Sequence, residues 1–320
     1  MKVLITGATG LVGKELVKLC HSKGYWVNYL TTSKNKIVSK ENYTGFYWNP
    51  KEGEINADCF KDVSVIINLA GASISKRWTS EYKKIVLKSR IDSLRTLHKA
   101  IGSQANHSIK SFISASAIGI YPNSLENFYS ENNNAVDDSF LGEVVAAWEK
   151  ETDTFEQYSF RVSKVRIGLV LSDKGGALPE MVKPINNYVG AAFGSGEQWQ
   201  SWIHITDLAR MFLFIAENDL EGTFNAVAPN PVTNNKMVKE IAKVLEKPIL
   251  LPNIPRFSMR LLLGEMSYIL FASQRVSSKK IEEEGFNFTF QNVCAALEAI
   301  YEKNGECNPI KQNMEEEYIS

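Results

Sequence analysis

Apolar and polar positions alternate in blocks along the first half of the chain, and these blocks have the lengths of strands and helices. The apolar run from Val3 to Ile5 is typical of a buried parallel strand, and an amphipathic pattern over residues 11–23 predicts a helix after it. Further strands are predicted over residues 26–31, 45–48, 63–69, 111–114 and 162–171, and helices over 79–102 and 139–158. This alternation over residues 1–171 predicts an α/β domain built on a doubly wound parallel sheet.

The second part of the chain has a looser pattern and predicts a smaller lobe of mixed structure over residues 172–304. Helices are predicted over residues 178–188, 206–218, 234–246, 257–272 and 292–303. We interpret this lobe as the part that binds the substrate and closes over the cofactor. Residues 305–320 are polar and acidic, and we expect them to form a frayed tail.

Three glycines, Gly7, Gly10 and Gly13, lie at the turn between the first strand and the first helix. The first would allow a tight turn, the second a close approach to a diphosphate, and the third close packing of helix on strand. The free N–H groups and the positive end of the helix dipole would then face the phosphates. An ordinary strand–turn–helix is the alternative. The predicted cofactor contacts are Gly7, Thr9, Gly10, Leu11, Val12 and Gly13.

The ends of later strands add to this predicted cofactor site. Residues Thr31 to Lys34 offer hydroxyls and one lysine but no carboxylate, which suits a 2′-phosphate and favours NADP over NAD. A solvated polar loop is the alternative. Small residues after the strand at 63–69 leave room for a ligand at the carboxyl edge of the sheet. The predicted contacts in these places are Thr32, Ser33, Lys34, Leu69, Ala70, Gly71 and Ser114.

Composition narrows the classes of partner. The 36 basic residues balance 36 acidic ones, so no bulk positive field indicates a nucleic acid or an anionic membrane surface. No apolar run approaches the roughly 20 residues of a membrane span. Four scattered cysteines form no C-x-x-C pair and no zinc spacing, so we expect four buried thiols, no metal and a cytoplasmic location. A small-molecule substrate is expected, with a monomer or a homodimer as the assembly.

Several motifs resemble those of the short-chain dehydrogenase/reductase superfamily. The spacing G-x-x-G-x-x-G is similar to that of its extended branch. Up to about residue 303, the chain resembles an atypical subgroup of that branch, the epimerase family proteins, which have a C-terminal module of their own. The resemblance implies an extended Rossmann fold, NADP(H) binding and no firmly assigned substrate. It rests on residues 68–72 (NLAGA), 76–79 (KRWT), 114–121 (SASAIGIY), 166–171 (RIGLVL), 201–204 (SWIH), 228–234 (APNPVTN) and 274–276 (QRV).

Reductases and epimerases of that superfamily use a serine, a tyrosine and a lysine, and this chain departs from the pattern. The lysine lowers the pKa of the tyrosine, which passes a proton to or from the substrate oxygen. Ser114 and Ser116 lie where the serine belongs. The helix at 139–158 has no Tyr-x-x-x-Lys, and Glu149 lies where the family alignment suggests the lysine. The candidate catalytic residues are therefore Ser116, Tyr121 and His204.

Two segments, residues 77–90 and 202–207, are expected to frame the substrate site. The arginines and the lysine of the first segment suit phosphate or carboxylate groups. The candidate substrate contacts are Arg77, Trp78, Lys83, Arg90, Trp202 and Asp207. The structural alternative is a solvated helix face for Lys83 and Arg90 and a place in the core for Trp202. For the catalytic candidates it is a turn cap for Tyr121 and a hydrogen-bonded, half-buried histidine for His204. Two functions stay open. One is an NADP-dependent oxidoreductase or epimerase-like enzyme acting on a small polar substrate, and the other is a protein that senses NADP(H) without turnover.

Overall fold

The computed structural model describes residues 1–104 and 107–302. The strands are β1 (Lys2–Thr6), β2 (Trp26–Thr31), β3 (Ser39–Lys40), β4 (Tyr43–Asn49), β5 (Glu54–Ile55), β6 (Val65–Asn68), β7 (Ser111–Ala117), β8 (Phe128–Tyr129), β9 (Arg161–Ile167), β10 (Leu169–Leu171), β11 (Trp199–Gln200), β12 (Trp202–His204), β13 (Gly222–Ala226), β14 (Val232–Thr233) and β15 (Arg275–Val276). The helices are α1 (Leu11–Ser22), α2 (Ser80–Gly102), α3 (Phe140–Asp153), α4 (Leu178–Asn186), α5 (Ile205–Glu217), α6 (Asn234–Val244), α7 (Arg256–Leu263), α8 (Tyr268–Phe271), α9 (Lys279–Glu283) and α10 (Val293–Ile300). The predicted tail at 305–320 lies outside the described residues.

A nine-stranded sheet forms the centre of the described part of the chain. Its order is β13-β9-β7-β6-β1-β2-β4-β3, and β5 pairs with β4. The pairs from β13 to β4 are parallel, and the short strands β3 and β5 run antiparallel to β4. Val3, Leu4 and Ile5 of β1 are completely buried, which is typical of a parallel strand covered on both faces. The predicted doubly wound parallel sheet is confirmed.

The strand order determines where the helices lie. The connections from β1 to β2 and from β6 to β7 step along the sheet in opposite directions. Because such crossovers are right-handed, α1 and α2 lie on opposite faces. α1 packs beside α5, and α2 packs beside α3. A crevice therefore opens at the carboxyl ends of β1 and β6, which is where open α/β sheets bind their ligands.

Two of the helices beside the crevice begin at residues whose side chains cap them. The hydroxyl of Thr79 accepts a hydrogen bond from the backbone N–H of Tyr82 at 3.1 Å, so the predicted N-cap of α2 is confirmed. The hydroxyl of Ser139 accepts a hydrogen bond from Gly142 in the same way at the start of α3. These caps fix where the two helices start relative to the sheet edge.

The chain beyond residue 171 contributes to two hydrophobic cores. One of them is separate from the sheet and lies among α4, α6 and α10, with Leu178, Met237 and Leu297 buried in it. The other is the core of the central sheet, because α5 packs on that sheet and β13 extends its edge. The chain after residue 171 is thus tied to the central sheet through α5 and β13.

Two predicted elements are divided in the structure, so their prediction as single elements is wrong. The strand predicted at 162–171 breaks at Gly168, where a Cβ would lie 2.3 Å from the carbonyl oxygen of Ser201. β9 stays in the central sheet, and β10 pairs with β12 instead. The helix predicted at 257–272 ends before Gly264, which has a φ of +62° and begins a turn before α8.

Two further expectations concern cysteines and membranes. Cys20 and Cys59 are free and buried, as expected, whereas Cys294 is disulfide-bonded, so the expectation of four thiols is wrong. Within residues 1–104 and 107–302, no helix has both the length and the apolar character needed to cross a membrane. The same residues contain no cluster of three potential metal-binding side chains.

Candidate active site

The crevice between β1 and β6 contains the glycine turn that the sequence singles out. Gly7 has a φ of +70°, and a Cβ there would lie 2.9 Å from the carbonyl oxygen of Leu69. The backbone N–H of Gly10 donates to the carbonyl oxygen of Gly7 at 2.9 Å, which closes the turn. The two loops at the switch point can therefore approach each other only because residue 7 has no side chain.

The N-terminus of α1 presents backbone N–H groups at this crevice. Gly10 is the N-cap and has no side chain to accept a hydrogen bond, and the first turn has no acidic residue. The unpaired N–H groups and the positive end of the helix dipole therefore suit an anion. Gly13 brings the helix close, since a Cβ there would lie 2.2 Å from the carbonyl oxygen of Gly7. Thr9 is exposed, whereas Leu11 and Val12 are half-buried in the first turn.

Hydrogen bonds join the ends of β1, β6 and β7. The Thr6 hydroxyl donates to the side-chain oxygen of Asn68 at 2.7 Å and accepts from the backbone N–H groups of Leu69 and Ala70. The Asn68 amide then donates to the Ser114 hydroxyl at 3.3 Å. Ser114 is completely buried, so in this structure it supports the strand ends behind the crevice. Sequence reasoning missed Thr6 and Asn68, although polar residues ending two apolar strands are a usable signal.

The end of β2 has the polar surface that the sequence indicates. Thr32 and Lys34 are exposed, and Ser33 is half-buried. The ammonium group of Lys34 lies 5.0 Å from the centre of the Tyr47 ring at the end of β4, and no described carboxylate pairs with it. This places one unpaired cation at the sheet edge, next to the strand that leads into the glycine turn.

Ser116 belongs to a buried charged cluster rather than to an open surface. Its hydroxyl donates to the carboxylate of Glu149, which also accepts two hydrogen bonds at 2.8 Å from the Arg166 guanidinium. Both side chains of this ion pair are 9% exposed. Glu149, which the alignment suggests in place of the lysine, therefore serves here as the partner of an arginine that sequence reasoning missed.

Tyr121 extends the same cluster, and its hydroxyl is fully engaged. It donates to the side-chain oxygen of Asn225 at 2.8 Å and accepts from Arg166 at 2.9 Å. The side chain is completely buried. Burial raises the pKa of Tyr121 even though the Arg166 charge opposes the rise. The hydroxyl therefore lacks both the lowered pKa and the open face that proton transfer to a substrate requires.

Three predicted site residues after residue 171 are buried in structural roles. Trp202 is completely buried, and its indole N–H donates to the carbonyl oxygen of Asn230. Asp207 accepts hydrogen bonds from the backbone N–H groups of Thr289 and Phe290 at 3.0 and 2.9 Å. His204 caps α5 by accepting from a backbone N–H, and burial lowers its pKa despite nearby carboxylates. It also lines a cavity of about 690 Å³ beside α1.

The loop after β6 and the start of α2 hold the remaining candidates. Trp78 is buried edge-on against the ring of Phe140 at the start of α3. Lys83 lies over the same ring and forms an ion pair with Glu265 of the second lobe. The Arg77 side chain is exposed and has no described hydrogen bond or ion pair. Arg90 lies against the backbone of Gly71 in the crevice loop.

The structure thus divides the predicted site residues into two groups. The glycine turn, the loop at 69–71, the end of β2 and Arg90 lie around the carboxyl edge of the sheet. Ser114, Ser116, Tyr121, Trp202 and Asp207 are buried, with their polar atoms bonded inside the protein. The first group surrounds the crevice, and the second group is engaged in contacts within the protein interior.

Comparison with known proteins identifies the family. The model of the NAD dependent epimerase/dehydratase family matches residues 3–226. The chain belongs to this family. A second model, a domain of unknown function named DUF1731, matches residues 254–300. The epimerase family protein SAR0825 of Staphylococcus aureus (strain MRSA252) is 38% identical over 305 residues, which cover 94% of this chain and 99% of that protein. The expected resemblance to epimerase family proteins is confirmed.

Solved structures extend the similarity to three dimensions. The human epimerase family protein SDR39U1 (isoform 2), crystallised with NADPH, has a TM-score of 0.84 and 28% identity over 94% of this chain and 99% of that one. A nucleoside-diphosphate sugar epimerase from Corynebacterium glutamicum has a TM-score of 0.76 and 27% identity, and covers 98% of this chain and 61% of that one. The predicted Rossmann-like fold is confirmed by both.

Proposed function

We propose that this protein binds NADP(H) and acts as an oxidoreductase or epimerase-like enzyme on a small polar substrate. The crevice at the switch point carries this proposal. There, Gly7 permits the tight turn, and the uncapped N-terminus of α1 offers N–H groups to a diphosphate. The similar human protein is described as crystallised with NADPH, which supports the same cofactor class here.

The choice of NADP over NAD rests on the end of β2. A cofactor without a 2′-phosphate is usually held there by an Asp or Glu. In this chain Thr32, Ser33 and Lys34 take that place, and Lys34 has no described carboxylate partner. A lysine without a partner attracts a phosphate by charge, so NADP(H) is the proposed cofactor.

A second candidate function is binding of NADP(H) without turnover, as a sensor. It is favoured by the buried cluster of Ser116, Tyr121 and Glu149, which ties up the two hydroxyls that were candidates for proton transfer. Helix α3 contains no tyrosine that could replace them. Under this alternative, the site would bind the cofactor tightly and leave its redox state unchanged.

The cofactor proposal is tested by replacing Gly10 with aspartate. We expect Gly10→Asp to abolish NADPH binding, because its carboxylate would repel the diphosphate and its Cβ would lie 3.2 Å from the carbonyl oxygen of Gly7. Gly24→Asp is the charge-matched control, since Gly24 lies just past the other end of α1 and a Cβ there meets nothing within 4 Å. Its φ of +71° is a conformation that aspartate adopts more readily than most residues with a side chain, and a thermal unfolding scan checks that the control is folded. Binding is measured by the fluorescence of NADPH. Unchanged affinity in Gly10→Asp would refute the proposed site.

The two candidate functions are separated by a turnover assay. The purified protein is mixed with NADPH and a panel of carbonyl compounds and nucleotide sugars, and the absorbance of the reduced nicotinamide is followed. Nucleotide-sugar products are also analysed, because an epimerase that returns its hydride leaves that absorbance unchanged. Consumption of NADPH or isomerised sugar would support the enzyme. Tight binding with neither change across the panel would favour the sensor.

A further inference from the structure

Arg90 lies directly beneath the crevice loop. It projects from α2, and one guanidinium nitrogen, Nη1, donates to the carbonyl oxygens of Val86 at 2.9 Å and Ala72 at 3.3 Å. A Cβ on Gly71 would lie only 3.2 Å from the central carbon of the guanidinium, so the loop contacts the arginine through bare backbone. The positive charge of Arg90 is therefore held at the same edge of the sheet as the glycine turn.

Two buried donors beside this loop have no acceptor. They are Nε of Arg90 and the indole Nε1 of Trp148, a residue of α3. The guanidinium carbon lies 4.9 Å from the centre of the Trp148 ring, so both donors belong to one stacked pair of side chains. Buried polar groups almost always have a hydrogen-bond partner. An acceptor bound beside these two contacting side chains could therefore satisfy both donors.

The charge around Arg90 indicates that this acceptor is an anion. Within residues 1–104 and 107–302, no carboxylate pairs with Arg90, and burial lowers its pKa to about 10. Arg166 of β9 differs, because the Glu149 carboxylate neutralises it. Residues 76–90 contain six basic side chains and one acidic one, Glu81. A buried cation without a counter-ion is costly, and a bound anion would offset that cost.

We propose that Arg90 and Trp148 form a binding site for a phosphate or carboxylate group of the ligand that occupies the crevice. The guanidinium would supply the charge and the Nε donor, and the indole would supply a second N–H. This inference rests on the proposed function, because it assigns an anionic group to the ligands of that site. The group would come either from the cofactor diphosphate or from an anionic substrate.

Thermal unfolding with inorganic phosphate tests the site without any cofactor. At matched ionic strength, with chloride as the reference salt, phosphate should raise the Tm of the wild-type protein. We expect Arg90→Gln to lose more than half of this rise and Trp148→Phe, which keeps an aromatic ring but removes the N–H, to lose part of it. Lys88→Gln is the matched control, because Lys88 is an exposed basic residue of the same helix. It should respond like the wild type.

Repeating the measurement with saturating NADPH shows whether the cofactor or the substrate supplies the anionic group. If the cofactor diphosphate is bound, NADPH abolishes the effect of phosphate, and Arg90→Gln weakens NADPH binding about tenfold or more. If the substrate supplies the anion, the phosphate effect persists with NADPH, and the variant binds NADPH normally. Either result supports the site.

An equal rise in Tm for the wild type and both variants, or no rise in the wild type, would overturn the inference. The two donors would then be satisfied by water alone. Trp148→Phe keeps the test valid if Arg90→Gln fails to fold. Failure of the proposed function is distinguishable, because it is read from NADPH binding to Gly10→Asp, whereas this site is read from phosphate alone.

Discussion

Lys34 is the single residue on which the proposed cofactor preference depends. Its ammonium group rests over the Tyr47 ring, 5.0 Å from the ring centre, at an exposed position after β2. An exposed lysine without an ion pair can turn toward a phosphate at little cost, whereas a carboxylate in the same place would repel one. The proposed preference for NADP therefore depends mainly on one side chain, and one substitution tests it.

We predict that Lys34→Ala weakens binding of NADPH more than binding of NADH. Loss of one charge-assisted contact to a 2′-phosphate should cost about 1.5–3 kcal/mol for NADPH, which is roughly tenfold or more in affinity. Fluorescence titration with both cofactors gives the ratio. Lys36→Ala is the control, because Lys36 is also exposed and its described hydrogen bonds are made by its backbone, which accepts from the Tyr29 hydroxyl and donates to the carbonyl oxygen of Ser33. An equal loss for both cofactors would remove Lys34 from the 2′-phosphate site.

At the scale of an element, His204 links the stability of the start of α5 to the pH. Its Nδ1 accepts from the backbone N–H of Thr206 at 3.2 Å, and the centre of its ring lies 4.1 Å from the centre of the Phe290 ring. Burial lowers the pKa of His204 below that of an exposed histidine. Protonation would remove the acceptor that caps the helix and would place a charge in a mostly buried position.

We predict that His204 makes the fold less stable as the pH falls below about 6.5. The unfolded chain takes up the proton at a higher pH than the folded chain. The stabilisation by neutral His204 is therefore complete above about pH 6.5, and it is lost as the pH falls toward the lowered pKa of the folded protein. His204→Asn should reduce this dependence, because asparagine can still cap the helix but does not titrate. Urea unfolding of both proteins at pH 7.5 and 5.5 measures the difference. Parallel pH dependences would contradict the prediction.

At the scale of the whole molecule, Asp207 joins the central sheet to the C-terminal module. It is completely buried on α5, and its carboxylate accepts from Arg210 at 2.6 Å and from the backbone of Thr289 and Phe290. A second connection, the ion pair of Lys83 with Glu265, joins α2 to the same module at the surface. The module is thereby joined to both α5 and α2.

We predict that Asp207→Ala destabilises the protein by about 3 kcal/mol, since it leaves two backbone N–H groups without their acceptor and removes a buried ion-pair partner. Hydrogen exchange should increase most around residues 287–300. Glu180→Ala is the control, because Glu180 is 69% exposed in its ion pair with Lys183 and should change stability by less than about 1 kcal/mol. Similar losses for the two variants would show that Asp207 does not hold the module.

The sequence by itself determined the main strands and helices over residues 1–171, the glycine turn and the family, but not the short strands β3, β5 and β8. These features depend on local patterns, namely runs of apolar residues, helix periodicity and glycines at a turn, which a chain shows without folding. Gly7 is an example, because a glycine directly after a buried strand signals a sharp turn in the sequence itself. The division of the strand at Gly168 was missed, because it depends on contact with Ser201 far along the chain.

Only the tertiary structure decided which polar residues are available for chemistry. Ser116 and Tyr121 look like catalytic groups in the sequence, yet long-range hydrogen bonds to Glu149 and Asn225 engage both of them. Arg90 looks like one more basic residue on a helix, yet it is the one left beside Gly71 without a carboxylate. Whether a charge is paired depends on the side chains that folding brings near it, and sequence spacing does not contain that information.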